Sequence, residues 1–146
     1  MYTIGQISDM FHIPVSTLRY YDKEGLFPNI ERTSGIRQFS DNEVETLRVI
    51  ECLKRSGMEI KKIKQFTQWC AQGSSTYAKR RDMFLQQKES VTAEIDKLCK
   101  TLAMIEFKCW YYEQAIAEGG EEQLSKRIPD ALPTEIKAFY DLAHAD

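Results

Sequence analysis

No apolar run in this 146-residue chain approaches the roughly 18 residues that cross a bilayer, so no membrane span is expected. The first residues, MYTIGQIS, carry neither a charged leader nor an apolar stretch behind it. That excludes a secretory signal and points to a reducing cytoplasm. Histidine is nearly absent, with two copies, and the four cysteines (Cys52, Cys70, Cys99, Cys109) show no C-x-x-C spacing. A structural zinc site or a disulfide framework is therefore disfavoured, and no metal or other cofactor is expected. Cations are not in excess: 20 Lys+Arg stand against 22 Asp+Glu, for a net charge of −2 and a pI near 5.8. Any affinity for nucleic acid must come from a local patch. Residues 1–70 balance to +1 and residues 71–146 to −3, a lean too weak to decide anything. Finally, glycine and proline are missing from Tyr77 to Glu118, which removes every strong helix breaker from that stretch.

The segments before it read as short helices around a small hairpin. Thr3 followed by Gln6 is a capping box, and Ile4, Ile7, Met10 and Phe11 mark one helical face. Pro14 disfavours helix at Ile13. A second short helix runs from Val15 to Lys23, capped by Ser16 or the residue before it and stopped by Gly25, with Leu18 and Tyr21 facing inward. Two short helices joined by a tight turn predict a helix-turn-helix. PNIERTSGIRQFS alternates around a glycine turn and reads as a β-hairpin, which needs the helices to be stable. Ser40 with Glu43 opens a helix to about Arg55. Gly57 ends it, and Ile60 to Ala71 forms the next.

In the breaker-free stretch Phe84, Val91, Ile95, Leu98, Leu102, Ile105, Cys109, Tyr112 and Ile116 are spaced 7, 4, 3, 4, 3, 4, 3 and 4, interrupted only by Lys88. This is a heptad seam sustained over a helix of roughly 60 Å. No other segment is long enough to cover it, so a second copy of the chain is the expected partner. Val91, Ile95, Leu98, Leu102, Ile105 and Cys109 form the core of that seam.

A helix-turn-helix beside a hairpin is a winged arrangement whose second helix enters the major groove. The outer face of that helix holds Ser16, Thr17, Arg19, Tyr20 and Lys23. Hydroxyls and a guanidinium suit phosphate oxygens and base edges. Arg32 and Arg37 flank the hairpin turn. Lys61, Lys62 and Lys64 begin the helix after Gly57, following Lys54 and Arg55. Any one cluster could be ordinary solvated charge; three beside a helix-turn-helix are not read that way. No catalytic base, nucleophile pair or phosphate-cradling loop is visible, so an enzyme is not expected. Two other classes stay open: a signal-independent architectural DNA-binding protein and a coiled-coil interaction scaffold.

The linked motifs TIGQIS, STLRYYDKEGLFP, SGIRQFS and LKRSGMEIKKIKQF, with the heptad helix behind them, resemble the MerR family of bacterial transcription regulators over roughly residues 1–118. The resemblance implies a mainly α fold: a winged helix-turn-helix domain over 1–74, a long antiparallel coiled-coil dimerisation helix over 75–118, and a short C-terminal tail over 119–146 that is open to a helical reading. It implies a homodimer on a pseudo-palindromic operator in double-stranded promoter DNA. Bending and untwisting that DNA lets RNA polymerase engage both promoter elements, an indirect partnership through the promoter. By position, Ser16, Thr17, Arg19 and Tyr20 fall in the recognition helix, with Tyr21 as its more inward member. Arg37 is the wing arginine, and Lys61 and Lys62 fall at the second wing. Ile36 and Phe39 stand where the family's wing usually has tyrosines, so the hydroxyls of those two residues are missing here.

The signal is less marked. Metal-sensing members carry a cysteine at the start of the dimer helix and a pair in a C-terminal loop, whereas this helix starts SSTYAK and no cysteine follows Cys109. Multidrug-sensing members append a large domain for which 28 residues are too few. Cys52 lies near Lys54 and Arg55, cations of the kind that activate a thiol. Its context, CLKRSGM, resembles a branch that responds to aldehydes and other thiol-reactive electrophiles. A packed core cysteine is the other reading, and the two stay open. Cys70 and Cys109 read as core. Phe107, Trp110, Tyr111 and Tyr112 cluster near the end of the long helix. Core packing by the tail is the first reading there, and a pocket for a small apolar ligand the second.

Overall fold

A computed structural model describes residues 1–146. The chain divides into two compact units, Met1–Lys88 and Glu89–Asp146.

The first unit begins with α1 (Ile4–Phe11) and α2 (Val15–Lys23), then a hairpin of β1 (Glu31–Thr33) and β2 (Ile36–Gln38), then α3 (Asp41–Arg55) and α4 (Ile60–Gln72). Both expected capping boxes form: Thr3 with Gln6 on α1 and Ser40 with Glu43 on α3. Each satisfies orphan N–H groups at a helix start, a contribution of about 1 kcal/mol. The cap of α2 differs from expectation. Its N-cap is Pro14, with no side-chain hydrogen bond, and Ser16 lies inside the helix. Proline's fixed φ sets the extended entry there without a hydroxyl.

The ends of α2 and α3 share one device. Gly25 (φ +84) donates its N–H to the Asp22 carbonyl and Leu26 donates to the Tyr21 carbonyl. Gly57 (φ +90) and Met58 repeat the pattern on Lys54 and Leu53. A residue without Cβ takes the left-handed turn, and the next side chain swings into the core. Leu26 and Met58 are accordingly buried.

The hairpin turns through Ser34 and Gly35, both at positive φ, as a tight two-residue connection requires. Its strands pair antiparallel with Arg32 opposite Arg37. Tyr2 bridges to Phe39, tying the N-terminus to the hairpin's exit, and Phe39 packs edge-on against Phe27 with centroids 5.5 Å apart. Ile7, Leu18, Tyr21, Leu26, Phe27, Phe39, Leu47, Ile50, Leu53 and Ile63 close one core. Each large apolar side chain so buried contributes roughly 1.5–3 kcal/mol.

After a 3-10 turn at Ser74–Thr76, the long helix α5 (Tyr77–Glu118) runs for 42 residues. Its start belongs to the first unit: Phe84 meets Phe66 edge-on at 5.3 Å, and Gln87 donates to the Ser56 carbonyl at 2.8 Å. In the second unit, α6 (Glu122–Ser125) and α7 (Thr134–Ala143) follow α5. Phe107, Tyr111 and Leu124 are buried there among Trp110, Ile128, Leu132, Ile136, Phe139 and Tyr140. No helix is long and apolar enough to cross a membrane.

Candidate nucleic-acid interface

The two faces of α2 separate by helical period. Leu18 and Tyr21 are buried, whereas Ser16, Arg19, Tyr20 and Lys23 are exposed. Thr17 is half-buried, a step further in than expected. Arg19 has no protein hydrogen bond or ion pair, which leaves all five N–H donors of its guanidinium for another partner.

Tyr21 requires a correction. Its ring is 1% exposed, and its hydroxyl donates to Glu51 Oε1 at 2.8 Å while Lys54 Nζ donates to it at 2.7 Å. Lys54 also lies 5.2 Å above the ring. Burial first, and the Glu51 hydrogen bond second, push its phenol far above the ordinary tyrosine range. Tyr21 thus anchors α2 to α3, and its polar atom is spent inside the protein rather than on a ligand.

The wing arginines are likewise engaged. Arg37 Nε and Arg32 Nη2 both reach Asp22 Oδ2, at 2.6 and 2.7 Å. The hairpin is therefore latched to α2, and Arg37 is half-buried by that contact instead of standing free. Lys61 and Lys62 are exposed on the first turn of α4, a helix start with no side-chain cap. The Lys64 stem runs beside the end of α2, with Cε 3.6 Å from where a Cβ on Gly25 would sit. Hairpin, α3 end and α4 start therefore all adjoin α2. Sequence reading missed Asp22 and Glu51 as parts of this arrangement. An acidic residue within an otherwise cationic recognition helix was the one available hint.

The cysteines are all exposed. Cys70 is a correction: expected in the core, it stands at the end of α4 with its Sγ 3.8 Å from an Arg80 guanidinium nitrogen. The helix has turned that position outward beyond Thr67, the last buried residue of α4. Cys109 is exposed on the single chain together with Ile95, Leu98, Leu102 and Ile105, each more than half exposed, while Val91 is half-buried. Cys52 is exposed on α3, so the packed-core reading does not hold for it.

The aromatic group near the end of α5 divides. Phe107 and Tyr111 are buried beneath Leu124, with Tyr140 edge-on to Phe107 at 5.2 Å. Tyr111 is raised above its usual range by a hydrogen bond to Glu121 and then by burial. Trp110 is half-buried against the same cluster, and Tyr112 is 53% exposed. The four do not converge on a shared space, because α6 and α7 occupy the face that Phe107 and Tyr111 present.

This geometry, a helix-turn-helix latched to a two-stranded wing and followed by a long helix, defines a class of DNA-binding regulator. Residues 2–68 match the family model described as MerR HTH family regulatory protein. An uncharacterized HTH-type transcriptional regulator of Haemophilus influenzae is 35% identical over 131 residues, covering 88% of this chain and 97% of that one. The crystal structure of HiNmlR, a MerR family regulator lacking the sensor domain, bound to promoter DNA, is 36% identical. It superposes with a TM-score of 0.73 over 84% of this chain and 98% of that one. A MerR family regulator from Bacillus thuringiensis is 43% identical, with a TM-score of 0.68 over 74% and 96% of the two chains. The chain belongs to the MerR family. It is a helix-turn-helix transcription regulator, not an enzyme.

Proposed function

We propose that the protein acts as a homodimer on a pseudo-palindromic operator, distorting the promoter to control transcription, and that Cys52 is its sensor for electrophiles. Its DNA-binding domain spans 1–74, its dimerisation helix 75–118 and its tail 119–146. The observation that carries the DNA-binding mode is the split face of α2. Leu18 and Tyr21 are consumed by the core, so Ser16, Thr17, Arg19 and Tyr20 are left to meet a duplex. Arg37 on the wing and Lys61 and Lys62 on α4 add phosphate contacts that position the helix without reading bases. Contacts at two half-sites offset a deformation cost of about 1–6 kcal/mol. The exposed stripe of Ile95, Leu98, Leu102 and Ile105 supports an antiparallel coiled coil with a second copy.

The exposed Cys52 thiol supports the sensor reading. With an aldehyde, its sulfur adds to the carbonyl carbon and the thiol proton passes through solvent to the carbonyl oxygen, giving a hemithioacetal with nothing released. With a quinone, the sulfur adds to a ring carbon, and protons return the product to a hydroquinone thioether. Glu51 and Lys54, close to Cys52 on α3, hold Tyr21 of α2, so an adduct there lies near the anchor of the recognition helix.

One experiment separates the parts: transcription in vitro from an operator promoter with and without formaldehyde, methylglyoxal or a quinone. Wild type should respond. Cys52→Ser should bind the operator normally and ignore the electrophile, and a response equal to wild type would sink the sensor. Arg19→Ala should lose operator binding, and undiminished affinity would sink the recognition-helix assignment.

A further inference from the structure

The wing latch carries a consequence for recognition that its charges alone would not suggest. Arg32 and Arg37 are direct cross-strand partners. Like charges placed opposite each other destabilise a strand pair, and a hairpin with three residues per strand has little else to hold it. Asp22, on α2, answers both. A single oxygen, Oδ2, accepts from Arg37 Nε at 2.6 Å and from Arg32 Nη2 at 2.7 Å. The carboxylate is 10% exposed and Arg37 is 23% exposed, so that pair is partly shielded from water and salt, whereas Arg32 is 45% exposed and reaches in from the solvent side. Each arginine spends one N–H on Asp22. A guanidinium has five, so both keep most of their donors while their positions relative to α2 are set.

We propose that Asp22 is a positioning residue for DNA recognition: its one carboxylate oxygen holds both wing arginines in register with the recognition helix. The proposal rests on the assignment of Arg37 to the DNA-contacting wing. It gives Asp22 a role opposite to the one its charge predicts. A carboxylate beside an anionic duplex repels phosphate, so by Coulomb's law its neutralisation should tighten binding. As a positioning group, its neutralisation should weaken binding, because two unpaired arginines then repel across the hairpin and the wing leaves its docked position. The sign of the change separates the two roles.

The test uses the full chain and an operator duplex selected by the wild-type protein from random DNA. Dissociation constants are read by fluorescence anisotropy across a salt series for wild type, Asp22→Asn, Asp22→Glu, Arg37→Ala and Arg32→Ala/Arg37→Ala, the last with and without Asp22→Asn. Asp22→Asn should weaken binding about tenfold or more. It should also flatten the slope of log K against log salt, by about three to four for the homodimer, as two arginine–phosphate contacts are lost in each protomer. Asp22→Glu, which restores the carboxylate, should recover most of both. In the double-alanine background Asp22→Asn should no longer weaken binding, since nothing is left to position. Tighter binding by Asp22→Asn, with a steeper salt slope, would show that Asp22 merely masks the arginines and would overturn the proposal. Weakening that persists without the arginines would overturn it too, by placing the effect in the folding of α2. If Arg37→Ala costs nothing, the wing assignment itself fails and the proposal with it. If Arg37→Ala weakens binding while Asp22→Asn tightens it, only the positioning role falls.

Discussion

Tyr21 of the recognition helix donates its hydroxyl hydrogen to Glu51 Oε1 of α3 at 2.8 Å, beneath a helix face that carries Arg19 and Tyr20 outward. The same hydroxyl accepts from Lys54 at 2.7 Å. A short helix of nine residues cannot hold itself in water. This contact, with the burial of Leu18, is what orients its outer face.

Removing that hydroxyl tests the anchor. Tyr21→Phe keeps the ring and its packing but strands two hydrogen-bonding partners, both of them charged. Loss of bonds of this type costs about 1–3 kcal/mol. The urea midpoint should fall with the slope unchanged. An unchanged midpoint would mean that solvent satisfies Glu51 and Lys54 equally well.

The same residue predicts an alkaline limit. Burial, then Glu51, raise the Tyr21 phenol above its ordinary value of 10.0 in the folded protein. Below pH 10 the phenol is protonated in both folded and unfolded chains, and stability does not depend on it. Above about pH 10 the unfolded chain releases the proton while the folded one keeps it, so stability falls as pH rises. Urea unfolding at rising alkaline pH should show this decline in wild type and a shallower one in Tyr21→Phe. Equal declines would assign the effect to other groups.

The exposed seam of α5 predicts an assembly. Leu102 is 56% exposed on the single chain, in the middle of the heptad stripe. Leu102→Glu places a charge where a partner's apolar residues would lie. Sedimentation should then report a monomer, and operator affinity should fall by about tenfold or more, because the two half-sites are no longer bound as one event. A dimer of undiminished stability would move the interface elsewhere.

Leu124 predicts a local failure. It is fully buried in one cluster with Phe107 and Tyr111. Leu124→Ala leaves a cavity and should cost about 3 kcal/mol in the second unit. Trp110 sits against this cluster, so in a Trp69→Phe background its fluorescence should report the lowered midpoint. If the midpoint holds, the cluster has collapsed around the smaller residue.

Much of the fold was readable because its signals are local. Thr3 with Gln6 and Ser40 with Glu43 bond within one helical turn, so three-residue spacing is enough to find them. The absence of breakers from Tyr77 to Glu118 matches a helix with those bounds. Period alone sorted Leu18 inward and Arg19 outward. The misreadings share a cause. Sequence offers Tyr21 to DNA and places Cys70 in the core, whereas for Phe107 and Tyr111 its first reading, packing by the tail, holds over the pocket. Each depends on what another element brings against the residue: Glu51 and Lys54 for Tyr21, open solvent beside Arg80 for Cys70, and Leu124 with Tyr140 for the two aromatics.

By itself, then, the sequence determined the order of helices and wing, their caps, the heptad stripe and which α2 residues face outward, since all follow from periodicity and neighbours within one turn. Tertiary structure decided the uses of charge. Asp22 meets Arg37 across 15 positions of chain, and Tyr21 meets Glu51 across 30. Whether a cation is free for phosphate or a hydroxyl already satisfied is a matter of distances of about 3 Å, and those exist only once the elements have packed.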